Sequence, residues 1–157
     1  MSKNHKIQKT SLMKKIILII ISISIFSSAT ALEKTKEEKV AKYVLENIQK
    51  DYTACYSFYR IASESFKKAK AEKSVIKGLA ESADITLKFS HDLGEVLNYK
   101  LKFMTENNKK EIKKLTTIAK KDFNKLAKKY GMMCKKLVEN QKQRIDYWEK
   151  QGNKKIK

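Results

Sequence analysis

VAKYVLENIQKDYTACYSFYRIASESFKKA, residues 40–69, decides the fold. Val40, Val44, Ile48, Tyr52, Cys55, Tyr59, Ala62, Phe66 and Ala69 recur at every third or fourth position, which keeps one face of an α-helix apolar throughout. A half-buried strand would alternate with a period of two, and no such run occurs in the chain. Lys42, Glu46, Lys50, Lys67 and Lys68 fall off the apolar seam, as a solvated helix face requires. Just upstream, Thr35 and Glu38 stand at the spacing of a capping box, in which each satisfies the other's free backbone N–H, so the helix is predicted to start there.

Outward from this helix the same periodicity continues, in a chain with no proline and only four glycines. Charge density and lost phase predict a turn near Ala71–Ser74, with Ser74 as the next N-cap. A second helix is read from Ile76, Leu79, Ala83, Thr86, Ser90, Leu93, Leu97, Leu101 and Met104, with Gly94 as a point of bending. Glu106-Asn107-Asn108 is read as the following turn. The third segment carries Ile112, Leu115, Ala119, Phe123, Leu126, Tyr130, Cys134, Leu137, Gln141, Ile145 and Trp148, and its seam keeps phase through Gly131. The expectation is an all-α, elongated up-down-up three-helix bundle over residues 32–151. A four-helix bundle is the alternative if the chain turns at Gly131, and residues 152–157 are expected to form a disordered basic tail.

Residues 1–31 read differently. Lys3, Lys6, Lys9, Lys14 and Lys15 precede an apolar run from Ile16 to Phe26, and Ala29-Thr30-Ala31 follows. A basic start, a short apolar stretch and a small-residue site in this order match a cleavable export signal ending near Ala31. The run is about half the roughly 20 residues that a membrane-spanning helix needs, so no transmembrane helix is expected in the mature form. A periplasmic or secreted location follows as the expectation.

An oxidising compartment gives Cys55 and Cys134 a meaning. Both lie on apolar seams. If the first and third helices run parallel, the two cysteines stand about 30 and 37 Å from their helix starts at 1.5 Å per residue, close enough to pair. A disulfide tying the first helix to the third is therefore predicted.

The chain carries a net charge of +19, and +14 remains after residue 31. Arg60 and Arg144 are the only arginines, whereas bidentate phosphate recognition favours Arg over Lys. No specific nucleic-acid partner is expected, and a lysine-rich solvated surface is the simpler reading. Lys110, Lys114, Lys121, Lys125 and Lys128 form the candidate anion-facing surface. Glu81, Asp84, Asp92 and Glu95 of the second helix are placed to oppose the lysines of the third. Tyr56 and Phe58 point away from the first seam and are read as an exposed patch for a partner or a second protomer.

Candidates for chemistry are few. Ser90-His91-Asp92 has the residue types of a triad, but adjacent positions on a helix point about 100° apart, so the three do not converge. Covalent haem needs Cys-x-x-Cys-His, which is absent. His91 with Met104, Met132 or Met133 is the ligand set a bound haem would use and Met132-Met133-Cys134 the one for a soft metal, and no resident cofactor or metal is expected. The sequence points to a small basic exported helical protein that binds or builds in the cell envelope without catalysis, with an envelope protein or an anionic surface as partner. A bundle carrying haem, a metal or a small apolar molecule is the second reading.

Overall fold

A computed structural model describes residues 35–157, and the export-signal reading lies outside the described residues. These residues form α1 (Lys36–Lys68), α2 (Lys73–Val96), α3 (Leu101–Lys121), α4 (Phe123–Glu139) and α5 (Lys142–Lys155). Five helices stand where the sequence predicts three. Among the described residues no helix is long and apolar enough to cross a membrane.

α1 starts as its sequence dictates. Thr35 Oγ1 accepts from the Glu38 N–H at 3.3 Å, and the Thr35 N–H donates to Glu38 Oε2 at 3.1 Å. It ends in a Schellman turn, in which Lys70 takes a left-handed φ of 56° and the Ala71 N–H reaches back to the Phe66 carbonyl at 3.0 Å. Glu72 rather than Ser74 holds the N-cap position of α2, and the Ser74 hydroxyl turns back to Glu72 Oε2 at 3.2 Å. Gly94 lies inside α2, which ends two residues later at Val96.

The second turn falls earlier than expected. Asn98 adopts a φ of 58°, and the Tyr99 N–H closes on the Gly94 carbonyl at 2.8 Å, a second Schellman turn. Asn tolerates this left-handed conformation better than most residues, so the chain stops there. Glu106-Asn107-Asn108 is accordingly helical, within α3, and Asn108 is buried.

α1 is the hub, and contacts along it show how the rest returns. Ser63 meets Ile76, Tyr52 stacks on Phe89, and Gln49 meets Ser90, so α2 runs antiparallel to α1. Along α4 and α5, Phe123 meets Phe66, Tyr130 meets Phe58, Cys134 bonds Cys55 and Arg144 meets Asp51. The partner position on α1 falls steadily as the chain advances, so α4 and α5 are antiparallel to α1 as well. For the part of the predicted third helix that carries Cys134, the parallel pairing with the first helix is thereby overturned. The reversal lies at Asp122, whose extended backbone (φ −161°) ends α3 and whose Oδ1 caps α4 by accepting from the Lys125 N–H at 3.0 Å. Gly131 stays inside α4, and a second break at Asn140–Gln141 separates α4 from α5. The expected loose tail is also corrected, because Gly152 is buried and α5 continues to Lys155.

The core lies around the middle of α1. Ile48, Tyr52, Cys55, Phe58, Tyr59 and Ala62 pack with Ala83 and Leu93 of α2, Leu115 of α3, and Leu126, Tyr130, Cys134 and Leu137 of α4. The Cys55–Cys134 disulfide lies at its centre, with an S–S distance of 2.08 Å and both residues fully buried.

Candidate functional site

The break at Asn140–Gln141 sets α5 on its own path, and α1 fixes that path through one carboxylate. Asp51 is almost buried, and its Oδ2 accepts from Arg144 Nε at 2.6 Å while Oδ1 accepts from Nη2 at 3.0 Å. Trp148 Nε1, one turn further along α5, donates to the same Oδ2. The guanidinium lies 4.6 Å from the Tyr147 ring centroid and 4.8 Å from that of Trp148, and Tyr43 meets Trp148 edge-on at 6.1 Å. One turn beyond, Gly152 lets α5 come close, since an added Cβ would lie 3.1 Å from Val40 Cγ1 and 3.2 Å from Tyr43 Cδ1. Positions 144, 148 and 152 recur every four residues, so one face of α5 makes all these contacts. A bidentate Arg–carboxylate pair with this little water around it fixes orientation as well as distance.

Above this base, the break opens a groove of about 440 Å3 lined by Met132, Met133, Lys136, Leu137, Asn140, Gln143, Arg144 and Tyr147. Met132 is 63% exposed and Tyr147 is 45% exposed, although both are large apolar residues. Methionine is flexible and polarisable and adapts to different apolar partners, and tyrosine combines an apolar face with a polar tip. Lys136, Asn140 and Gln143 supply donors at the groove. The groove thus sets exposed apolar surface beside hydrogen-bond donors.

The sequence-predicted patch at Tyr56 and Phe58 is not a surface. Phe58 is only 6% exposed and lies between Tyr59 and Tyr130, with ring centroids at 5.3 and 6.4 Å. Its Cζ faces Gly131 of α4, where an added Cβ would meet it at 3.8 Å. Tyr56 is partly buried against the same core. The cause is that α1 is covered on more than one side, so residues off its main seam are inside too.

Lys110, Lys114, Lys121, Lys125 and Lys128 are all exposed, but the reversal at Asp122 divides them between α3 and α4. Lys114 bonds Glu111 at 3.0 Å, and that hydrogen bond raises its pKa. Two of the four acids of α2 are met by lysines of their own helix, Glu81 by Lys77 and Asp92 by Lys88. Ser90, His91 and Asp92 face three ways. Ser90 Oγ meets Thr53 and Gln49, His91 Nε2 lies 3.4 Å from Asn108 Nδ2, and Asp92 pairs with Lys88. Among the described residues no group of three or more His, Cys, Asp or Glu is placed to hold a metal ion.

Sequence reasoning missed Asp51, Arg144 and Trp148 as a unit. The signal was an acid next to Tyr52 on the long apolar seam of α1, and one of only two arginines spaced four residues before the only tryptophan. No protein-family model, curated protein or solved structure matches this chain.

Proposed function

We propose that this is an exported, disulfide-stapled helical binding protein of the cell envelope or its exterior, without catalysis, whose groove at the α4–α5 break takes an apolar, carboxylate-bearing segment of a protein partner. One observation carries the reading. Met132 and Tyr147 are exposed beside a groove that holds donor groups, on helices held from below by Cys55–Cys134 and Asp51–Arg144. A preorganised base lowers the ordering cost of binding, and exposed Met and Tyr supply the apolar contact. Export is supported by the basic-apolar-small order of residues 1–31 and by a buried disulfide, which persists in oxidising compartments.

A photo-crosslinker at Met132, introduced in cells, is expected to give one discrete protein adduct that Lys136→Glu weakens. An equal adduct from Val75, at the first turn of α2, would sink the groove reading. Export is checked separately, by an N-terminus at Leu32 and by cysteines that alkylate only after reduction. A chain still starting at Met1 with free thiols would refute it.

The cofactor-carrying reading has one observation in its favour. Asn108 Oδ1 is buried without a partner beside His91, and Met104, one turn earlier on α3, packs against Gly94. A visible absorption spectrum and metal analysis of the purified protein decide it. A Soret band or stoichiometric metal would replace the binding-protein reading.

A further inference from the structure

The turn between α2 and α3 carries a second exposed apolar surface, which shares no residue with the groove. It reads Val96-Leu97-Asn98-Tyr99-Lys100-Leu101-Lys102-Phe103. Leu101 is 64% exposed, Phe103 47% and Val96 41%. Tyr99 packs edge-on against Phe103 with centroids 5.1 Å apart, so the two rings form one unit. The turn is built firmly. Asn98 closes the Schellman motif, and Met104 fills the space over Gly94, where an added Cβ would overlap its sulfur. Burial and the Glu46 carboxylate raise the Tyr99 pKa above its ordinary value, so the ring stays neutral.

From this arrangement we infer that the α2–α3 turn is a contact site for an anionic phospholipid surface. Five features select that occupant. The apolar residues are exposed at a tight turn, and such a turn suits a deformable flat surface better than a pocketed partner. Lys100 and Lys102 are exposed and alternate with Leu101 and Phe103, so lysines reach headgroup phosphates while apolar side chains enter the acyl boundary. Glu95 and Glu106 flank the segment and leave these lysines as the only charges between them. A net charge of +14 after residue 31 adds long-range attraction to the same surface. Tyrosine at the tip matches the preference of amphipathic rings for the water–lipid interface.

The test is co-sedimentation of the purified chain with phosphatidylglycerol–phosphatidylcholine vesicles and with phosphatidylcholine alone. Every variant shares the same N-terminus, so differences belong to the turn. The parent is expected to partition onto the anionic vesicles and to come off as salt rises. Leu101→Asp with Phe103→Asp should weaken partition at least tenfold with an unchanged helical circular dichroism signal. Lys100→Glu with Lys102→Glu should produce a comparable loss on anionic vesicles only. In the Leu101→Trp chain, brominated acyl chains should quench a new fluorescence component. Val75→Trp, about 32 Å away along α2, should show no such component. Unchanged partition in both double variants would overturn the site. So would equal binding to neutral vesicles, equal quenching at both tryptophans, or a lipid-independent dimer dispersed by the aspartates.

Discussion

α1 has two unlike sides. Toward α2, beside the single Tyr52–Phe89 stack, it presents Gln49, Thr53 and Ser57, and α2 answers with Ala83, Thr86 and Ser90, all buried. Gln49 Nε2 donates to Ser90 Oγ at 3.1 Å, Thr53 and Ser90 share a hydrogen bond of 2.8 Å, and Ser57 Oγ donates to the Thr53 carbonyl at 2.9 Å. Toward α4 and α5 it presents aromatic rings, a disulfide and one ion pair. Small polar residues let two backbones approach and fix their register, but each hydrogen bond made on folding replaces one made to water, so the net gain is about 1 kcal/mol each. Aromatic burial and a covalent tie contribute more per residue. Helix pairing here is thus specified on one side and made strong on the other.

The largest effect should come from the covalent tie. Cys55→Ser with Cys134→Ser opens a loop with a sequence separation of 79, which the chain-entropy relation converts to about 4.5 kcal/mol as an upper figure. Urea unfolding with and without reductant measures it, and equal midpoints would place the strength of that side elsewhere. Next is Asp51→Ala, which leaves the Arg144 guanidinium and the Trp148 N–H without their acceptor. A loss of about 2–3 kcal/mol is expected, below the value for a fully buried pair because the Arg144 side chain keeps 26% exposure. A loss under 0.5 kcal/mol would show that water replaces the carboxylate.

The polar side makes the opposite kind of prediction. Ser90→Ala alone should cost about 1–2 kcal/mol by leaving Gln49 and Thr53 short of a partner. The triple change Gln49→Leu, Thr53→Val and Ser90→Ala should be close to neutral. If the triple variant loses more than the single one, the network contributes strength as well as register.

The smallest effect appears at high pH. Burial, and then the neighbouring Asp51 carboxylate, raises the Tyr52 pKa well above its ordinary 10.0. The fold therefore favours the neutral phenol, and its contribution is complete below pH 10. The contribution is lost as pH rises from there through the raised folded value, by about 1.4 kcal/mol at pH 11. Tyr52→Phe should flatten that decline, and parallel pH curves for the two proteins would show that Tyr52 ionises freely in the fold.

Much of the fold is legible in the sequence because 3.6-residue periodicity records burial. Leu115, Leu126, Tyr130, Cys134, Leu137 and Gln141, read as one seam, are all buried. Periodicity does not record direction. The seam keeps phase across Asp122, where a single extended residue reverses the chain, and the second break at Asn140–Gln141 makes one predicted helix three. The predicted Cys55–Cys134 pair is present, although the heights used to predict it assume the wrong direction. The groove was not legible, since it depends on Asp51 meeting Arg144 across a separation of 93 positions. Phe58 was misplaced for a related reason. The face of α1 that covers it is completed by Tyr130 and Gly131, which no local pattern links to residue 58.

The disulfide also decides how the molecule would carry tension. Force applied between residues 35 and 157 enters α1 at one end and α5 at the other, and meets at Cys55 and Cys134. The segment between them, about 270 Å when fully drawn out at roughly 3.4 Å per residue, bears none of that load while the bond is oxidised. α2 and α3, and with them the Tyr99–Phe103 tip, lie inside this protected loop. The α4–α5 break lies outside it. A pull on the C-terminus would therefore peel away the groove first and leave the tip standing.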